Sequence, residues 1–159
     1  MKLKPAISLF CILLLSWPAA HGQQSDIAAI ETVLDQFHQY AATGNWDAYF
    51  DLIAESGYFI GTDVGERWGK SEFRAYAGNR SGWVYHPRQR QVNLTPTGDS
   101  AWFHEILDSE SYGTSRGTGV LFKTEQGWKI AQYHLTFPVP NPLAREITDR
   151  IKAFEATNQ

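Results

Sequence analysis

The sequence predicts an α+β fold: a curved antiparallel sheet wrapped around N-terminal helices to form a cone, with an extra C-terminal helix. Three observations carry this. Apolar residues recur at helical spacing from about residue 25 to residue 53. Four β-rich runs separated by turn residues occupy 83–137. The connections between those runs are short enough to require antiparallel neighbours. A sheet that wraps long helices has to curve, and its concave side then encloses a pocket.

Composition narrows the functions open to the chain. It has 159 residues, a formal charge of −3 and one cysteine, and it is 43% hydrophobic and 19% charged. Such a chain is globular rather than disordered. The acidic balance excludes a phosphate-backbone binder, which needs a basic stripe. A single Cys provides neither an internal disulfide nor a Cys-rich zinc site. Six Trp, seven Tyr and nine Phe can build a core and still line a pocket.

Residues 1–22 read as a secretory signal peptide. Lys2 and Lys4 form a basic start, Ala6 to Leu15 an apolar run too short to span a bilayer as a helix, and Ala20-His21-Gly22 a small-residue cleavage site before Gln23. Cleavage would remove Cys11 and both lysines, leaving 137 residues with a formal charge of −5. The expected location is secreted or periplasmic, with no membrane attachment after cleavage. A cysteine-free product suits an oxidising compartment, and about 137 residues suffice for one core.

Residues 25–140 are expected to form the domain, and 141–159 a helix and tail. Ser25 is a candidate N-cap, and Ile27, Ile30, Leu34, Phe37 and Ala41 define one helix face. Gly44 ends that helix, and Asn45 caps a short second one with Trp46, Tyr49, Phe50 and Ile53 facing inward. Gly57 to Ile60 reads as a strand, Gly61 to Gly65 as a loop, and Lys70 to Tyr76 as a third helix. The four later strands are expected at Trp83–Leu94, Ala101–Asp108, Thr114–Lys123 and Trp128–Phe137. Prolines 138, 140 and 142 end the sheet. Asn141 then caps a last helix with a narrow stripe of Leu143, Ile147, Ile151 and Phe154.

Two stretches, Phe59 to Phe73 (FIGTDVGERWGKSEF) and Gly127 to Pro140 (GWKIAQYHLTFPVP), resemble the SnoaL-like branch of the nuclear-transport-factor-two-like superfamily. Ala101 to Glu105 and Arg116 to Val120 resemble one of its subgroups, and the likeness covers about residues 27–142. The resemblance implies the cone fold, a small-molecule pocket and a homodimer through the convex sheet face. It leaves function open, because the family holds cyclases, isomerases, dehydratases and non-catalytic binding domains. Steroid isomerases of this fold place a base near the position of Asp63. Their tyrosine and aspartic-acid donors correspond to Phe37 and to Thr118 or Gly119, none of which is a strong acid, so steroid isomerisation is not expected.

Each candidate site residue has a plain alternative. Asp63 is a general base in an apolar pocket, or a turn former. Trp68 forms the pocket rim, or covers the third helix; Glu66 and Arg67 are expected to pair at the surface. His104 and Glu105 point to opposite faces of one strand. Trp102 shares the face of His104, and Ala101, Phe103 and Leu107 share that of Glu105, which is the more apolar set. A buried Glu105 needs a partner such as Arg116 or a histidine. His134 is in phase with Trp128 and Ile130 and should project toward the mouth of the cone. No His-x-His spacing supports a metal site, and no phosphate-binding or nucleophile motif is present.

The expected protein binds a small apolar or aromatic molecule. In its enzymatic form it needs no cofactor: Asp63 or Glu105 is the base, His134 the acid or orienting donor, and Trp68, Trp102, His104 and Arg116 hold the ligand. The chemistry would be of isomerase, cyclase or hydratase/dehydratase type. The alternative is a non-catalytic binding or interaction module of the same fold.

Overall fold

The structure, a computed structural model, describes residues 19–158. The expected leader, with Cys11, lies almost wholly outside the described residues. Helix α1 spans Ala19–Thr43, so Ser25 lies inside the helix instead of capping it. Good helix formers such as Ala19, Ala20, Gln23 and Gln24 carry the helical segment upstream of Ser25. Ile30, Leu34, Phe37 and Ala41 are buried, as their spacing predicts, and Ile27 is half-buried. Gly44 leaves the helix at φ +64°, a backbone state that favours glycine. Asn45 then caps α2 (Trp46–Asp51), its side-chain oxygen accepting from the Ala48 N–H.

Strand β1 (Ile53–Ile60) starts earlier than expected. The short β2 (Arg67–Gly69) pairs with its far end and is hidden in the sequence by flanking loop residues. Helix α3 (Lys70–Ala77) leads to β3 (His86–Leu94), β4 (Ser100–Ser109), β5 (Gly113–Thr124) and β6 (Gly127–Thr136). The sheet order is β2-β1-β6-β5-β4-β3. The meander β3 to β6 is antiparallel as expected, while β1 joins β6 in parallel, making the curved sheet mixed. The chain departs from β1 through β2 and α3 before it enters the meander at the opposite edge.

The core lies between the concave sheet face and the three helices, and it is largely aromatic. Phe37 stacks on Tyr49 at 4.3 Å and packs on Tyr133 at 4.7 Å, while Phe59 stacks on Phe73 at 4.2 Å. Burying each such side chain contributes about 1.5–3 kcal/mol. Trp83 precedes β3 instead of opening it, and packs against Trp46 at 4.7 Å.

Ladder partners share a face of a sheet, so the pairing shows which residues face the core. Val92, Phe103, Gly119, Tyr133, Phe59 and Trp68 form one concave row; Gln91, His104, Thr118, His134, Ile60 and Arg67 form the neighbouring convex row. Between Leu121↔Ile130 and Val120↔Gln132 the register slips by one residue, so Ala131 is an extra residue in β6. This bulge reverses the in–out phase along the strand. Trp128 and Ile130 are buried before it, Tyr133 is buried after it, and His134 is turned to the other side.

The chain ends in a 3₁₀ turn (Asn141–Leu143) capped by Pro140 rather than Asn141, followed by α4 (Ala144–Thr157). The predicted stripe runs from the 3₁₀ turn into α4 but is not buried: Leu143, Ile151 and Phe154 are exposed.

Candidate functional site

The site starts from an inward-facing acid. Alternation along β4 buries Ala101, Phe103, Glu105 and Leu107 and exposes Trp102 and His104. Glu105 is fully buried and must find partners. Its Oε1 accepts hydrogen bonds from His38 Nε2 at 2.7 Å and from the Tyr133 hydroxyl at 2.9 Å. Its Oε2 accepts from Arg90 Nε at 2.8 Å. Arg90 also donates to Asp35 Oδ1 on α1 at 2.7 Å. One carboxylate therefore ties α1, β3, β4 and β6 together.

Burial alone would favour the neutral acid. The His38 hydrogen bond and charge, together with Arg90, more than offset it and hold the Glu105 carboxyl below its ordinary range. Burial and the adjacent Glu105 charge push the Tyr133 phenol well above its ordinary value, so it stays a hydrogen-bond donor. An ionised carboxylate only accepts, so His38 Nε2 is the donor in their contact. Glu105 therefore lies behind His38, with all of its contacts made inside the fold. Strand β5 makes room for the cluster with Gly117, where a side chain would meet the Tyr133 hydroxyl and the Glu105 carboxylate.

An open cavity of about 520 Å³ lies beside this cluster, with Trp68, Phe73, Tyr76 and Tyr112 among its walls. At the inner end Phe59, Trp83, Tyr85 and Leu135 also border a recess of about 10 Å³. His38, Tyr49 and Tyr133 line the recess but not the larger cavity, so the Glu105 cluster reaches the recess through His38 and Tyr133. The Tyr49 hydroxyl is buried with no hydrogen-bond partner among the described residues.

Several expected site residues lie elsewhere. Asp63 is exposed, and its carboxylate accepts from the Gly65 N–H at 2.8 Å, the turn-forming alternative. Glu66, not Asp63, borders the cavity, and its carboxylate accepts from the Thr62 and Asp63 N–H groups. Glu66 does not pair with Arg67, whose guanidinium lies 4.2 Å above the Tyr58 ring. Arg116 is exposed opposite Ile106 and Thr136 on the convex face and does not reach Glu105. Trp102 and His104 are convex and exposed because β4 alternates as predicted. His134 is convex because of the bulge at Ala131. Trp68 borders the cavity while packing on the core, and Glu105 faces inward.

The residues that complete the cluster were not among the candidates. His38 belongs to the α1 stripe, eight residues after Ile30 and four after Leu34, so its spacing carried a signal. Arg90 is in phase with Val92 and Leu94, which half-bury beside it. Tyr133 gave no signal, because the bulge inverts its phase. Among the described residues no group of three His, Cys, Asp or Glu could hold a metal ion.

Similar folds occur in solved structures. A nuclear-transport-factor-two-like protein with a cystatin-like fold from Novosphingobium aromaticivorans is 18% identical, with a TM-score of 0.64 over 80% of this chain and 92% of that one. A protein provisionally described as a dehydratase, from Streptomyces avermitilis, is 17% identical, with a TM-score of 0.61 over 74% of this chain and 99% of that one. One provisionally described as a scytalone dehydratase, also from N. aromaticivorans, is 10% identical, with a TM-score of 0.64 over 76% of this chain and 89% of that one. At these identities the likeness concerns fold alone. No curated protein matches the chain. The family model described as a SnoaL-like domain matches residues 30–140, most of the chain and all of the cluster around Glu105, and the protein belongs to that SnoaL-like family.

Proposed function

We propose that this is an exported SnoaL-like protein that binds a small apolar or aromatic molecule and acts on it by cofactor-free acid–base chemistry. The observation that carries the proposal is His38, hydrogen-bonded to a buried, ionised Glu105 on one side and bordering the recess of an aromatic pocket on the other. In this reading His38 moves the proton, Glu105 orients the ring and Tyr133 holds Glu105. Proton abstraction beside a carbonyl, or loss or addition of water, suits such a site. Asp63 and His134 have no part in it. Export fits the placement of the core: cleavage before Gln23 would leave Ile30 and every later buried residue in place.

The test is substitution of His38 by Gln, which keeps an N–H for Glu105 but cannot carry a proton at neutral pH. Turnover of a converted substrate should fall about 10²–10⁴-fold with the fold retained. Asp63→Asn and His134→Ala should keep it. Full activity in His38→Gln overturns the assignment.

A second reading is supported by the convex face, where Trp102 and Phe122 are 50% and 45% exposed. A non-catalytic binding domain that dimerises there would keep the same pocket. Such a dimer would be lost on Trp102→Ser, which light scattering would show.

A further inference from the structure

Resting on the reading of this cavity as a small-molecule site, we propose that its ligand is an aromatic acid. Its carboxylate lies at Arg80 at the mouth, and a hydroxyl or carbonyl oxygen enters the recess at Tyr49. Three independent features converge on that shape.

At the outer end, Arg80 borders the cavity with its guanidinium 4.1 Å above the Tyr76 ring. It makes no ion pair among the described residues. The one carboxylate bordering the same cavity, that of Glu66, is engaged by the Thr62 and Asp63 N–H groups at 2.9 and 3.2 Å. The mouth therefore offers an uncommitted cation on an aromatic face, a setting that favours a delocalised anion.

In the middle, the wall is aromatic: Phe59, Phe73, Trp68 and Tyr76 border the cavity as a column of rings stacked on one another, with centroids 4.2 to 5.6 Å apart. Their faces cover one another, so the column offers ring edges, against which an aromatic ligand packs edge-to-face.

At the inner end, the recess of about 10 Å³ has room for one oxygen-sized group. The fully buried Tyr49 hydroxyl borders it without a partner. A buried hydroxyl left unpaired destabilises the protein, and a ligand oxygen would supply the missing acceptor. His38 lines the same recess, so that oxygen would sit beside the proton-handling group.

Three probes separate these features by calorimetric titration: 6-hydroxy-2-naphthoate, which has both end groups; 2-naphthoate, which lacks the inner hydroxyl; and 2-naphthol, which lacks the carboxylate. The first should bind about tenfold more tightly than either of the others. Arg80→Gln should erase its advantage over 2-naphthol, and Tyr49→Phe its advantage over 2-naphthoate. Tyr49→Phe should leave the melting temperature unchanged or raised, since it removes an unpaired buried hydroxyl; a clear fall would show that Tyr49 is satisfied in another way and overturn the inner half of the proposal. Equal binding of all three probes, or loss of discrimination in neither variant, overturns the aromatic-acid assignment while leaving a small-molecule pocket. Binding by none of them overturns both.

Discussion

The two faces of the sheet are made from the same strands, yet they treat charge in opposite ways. On β4, Glu105 points inward and holds three partners; one residue earlier, His104 points outward into solvent. On β5, Gly117 backs the buried cluster while the adjacent Arg116 is exposed. The convex face leaves its titratable residues in solvent, where even a pair such as Arg88 and Asp108 stays half-exposed. The concave face admits few, and burial obliges each to be paired. A charged side chain becomes part of a device here only where the fold removes water from it. Counting polar residues along a strand does not reveal which those are; the phase of the strand does.

The largest expected effect comes from Glu105→Ala, which leaves Arg90 without its buried counter-charge. A loss of about 3–5 kcal/mol is expected in urea unfolding, against about 0.5 kcal/mol or less for Arg116→Gln on the convex face. Similar losses from the two would erase the distinction between the faces.

Tyr133→Phe should cost about 1.5–3 kcal/mol, the worth of a hydrogen bond to a charged acceptor. A smaller but signed effect appears in pH dependence. The Glu105 carboxyl is held below its ordinary value of 4.5, so the unfolded chain takes up its proton first as pH falls. Its stabilisation is complete above about pH 4.5 and is lost as pH drops through the lower folded value. Glu105→Gln should flatten that acid limb, and His104→Gln should leave it unchanged. An acid limb with the same slope in Glu105→Gln would show that other carboxylates produce it.

Much of this was legible in the sequence. The α1 stripe, the Gly44 and Asn45 punctuation and the three turns of the meander follow from local spacing and turn chemistry, which the chain obeys. The inward phase of Glu105 followed from its apolar neighbours on β4. What escaped was set by tertiary contact. The bulge at Ala131 has no sequence mark, so the phase of Trp128 and Ile130, carried forward, assigned the pocket to His134 rather than Tyr133. The strand β2 exists only because β1 pairs with it. Arg90 was hidden in a run of alternating basic and polar residues, where only pairing across to Glu105 distinguishes it from Arg88. His38 had the right helical spacing, but a histidine beside Phe37 gives no hint of a carboxylate 67 positions away.

Gly117 places a demand on any variation of this protein. The hollow above that residue is occupied by the Tyr133 hydroxyl and the Glu105 carboxylate, so a single added methyl group would displace one of them. In a deep mutational scan Gly117 should therefore group with Glu105 and His38, although it contributes no functional atom. Tolerance there would have to be restored by shrinking Tyr133 or Glu105. The lineage of the cluster should be traceable as a coupled set in which the smallest member is the least replaceable.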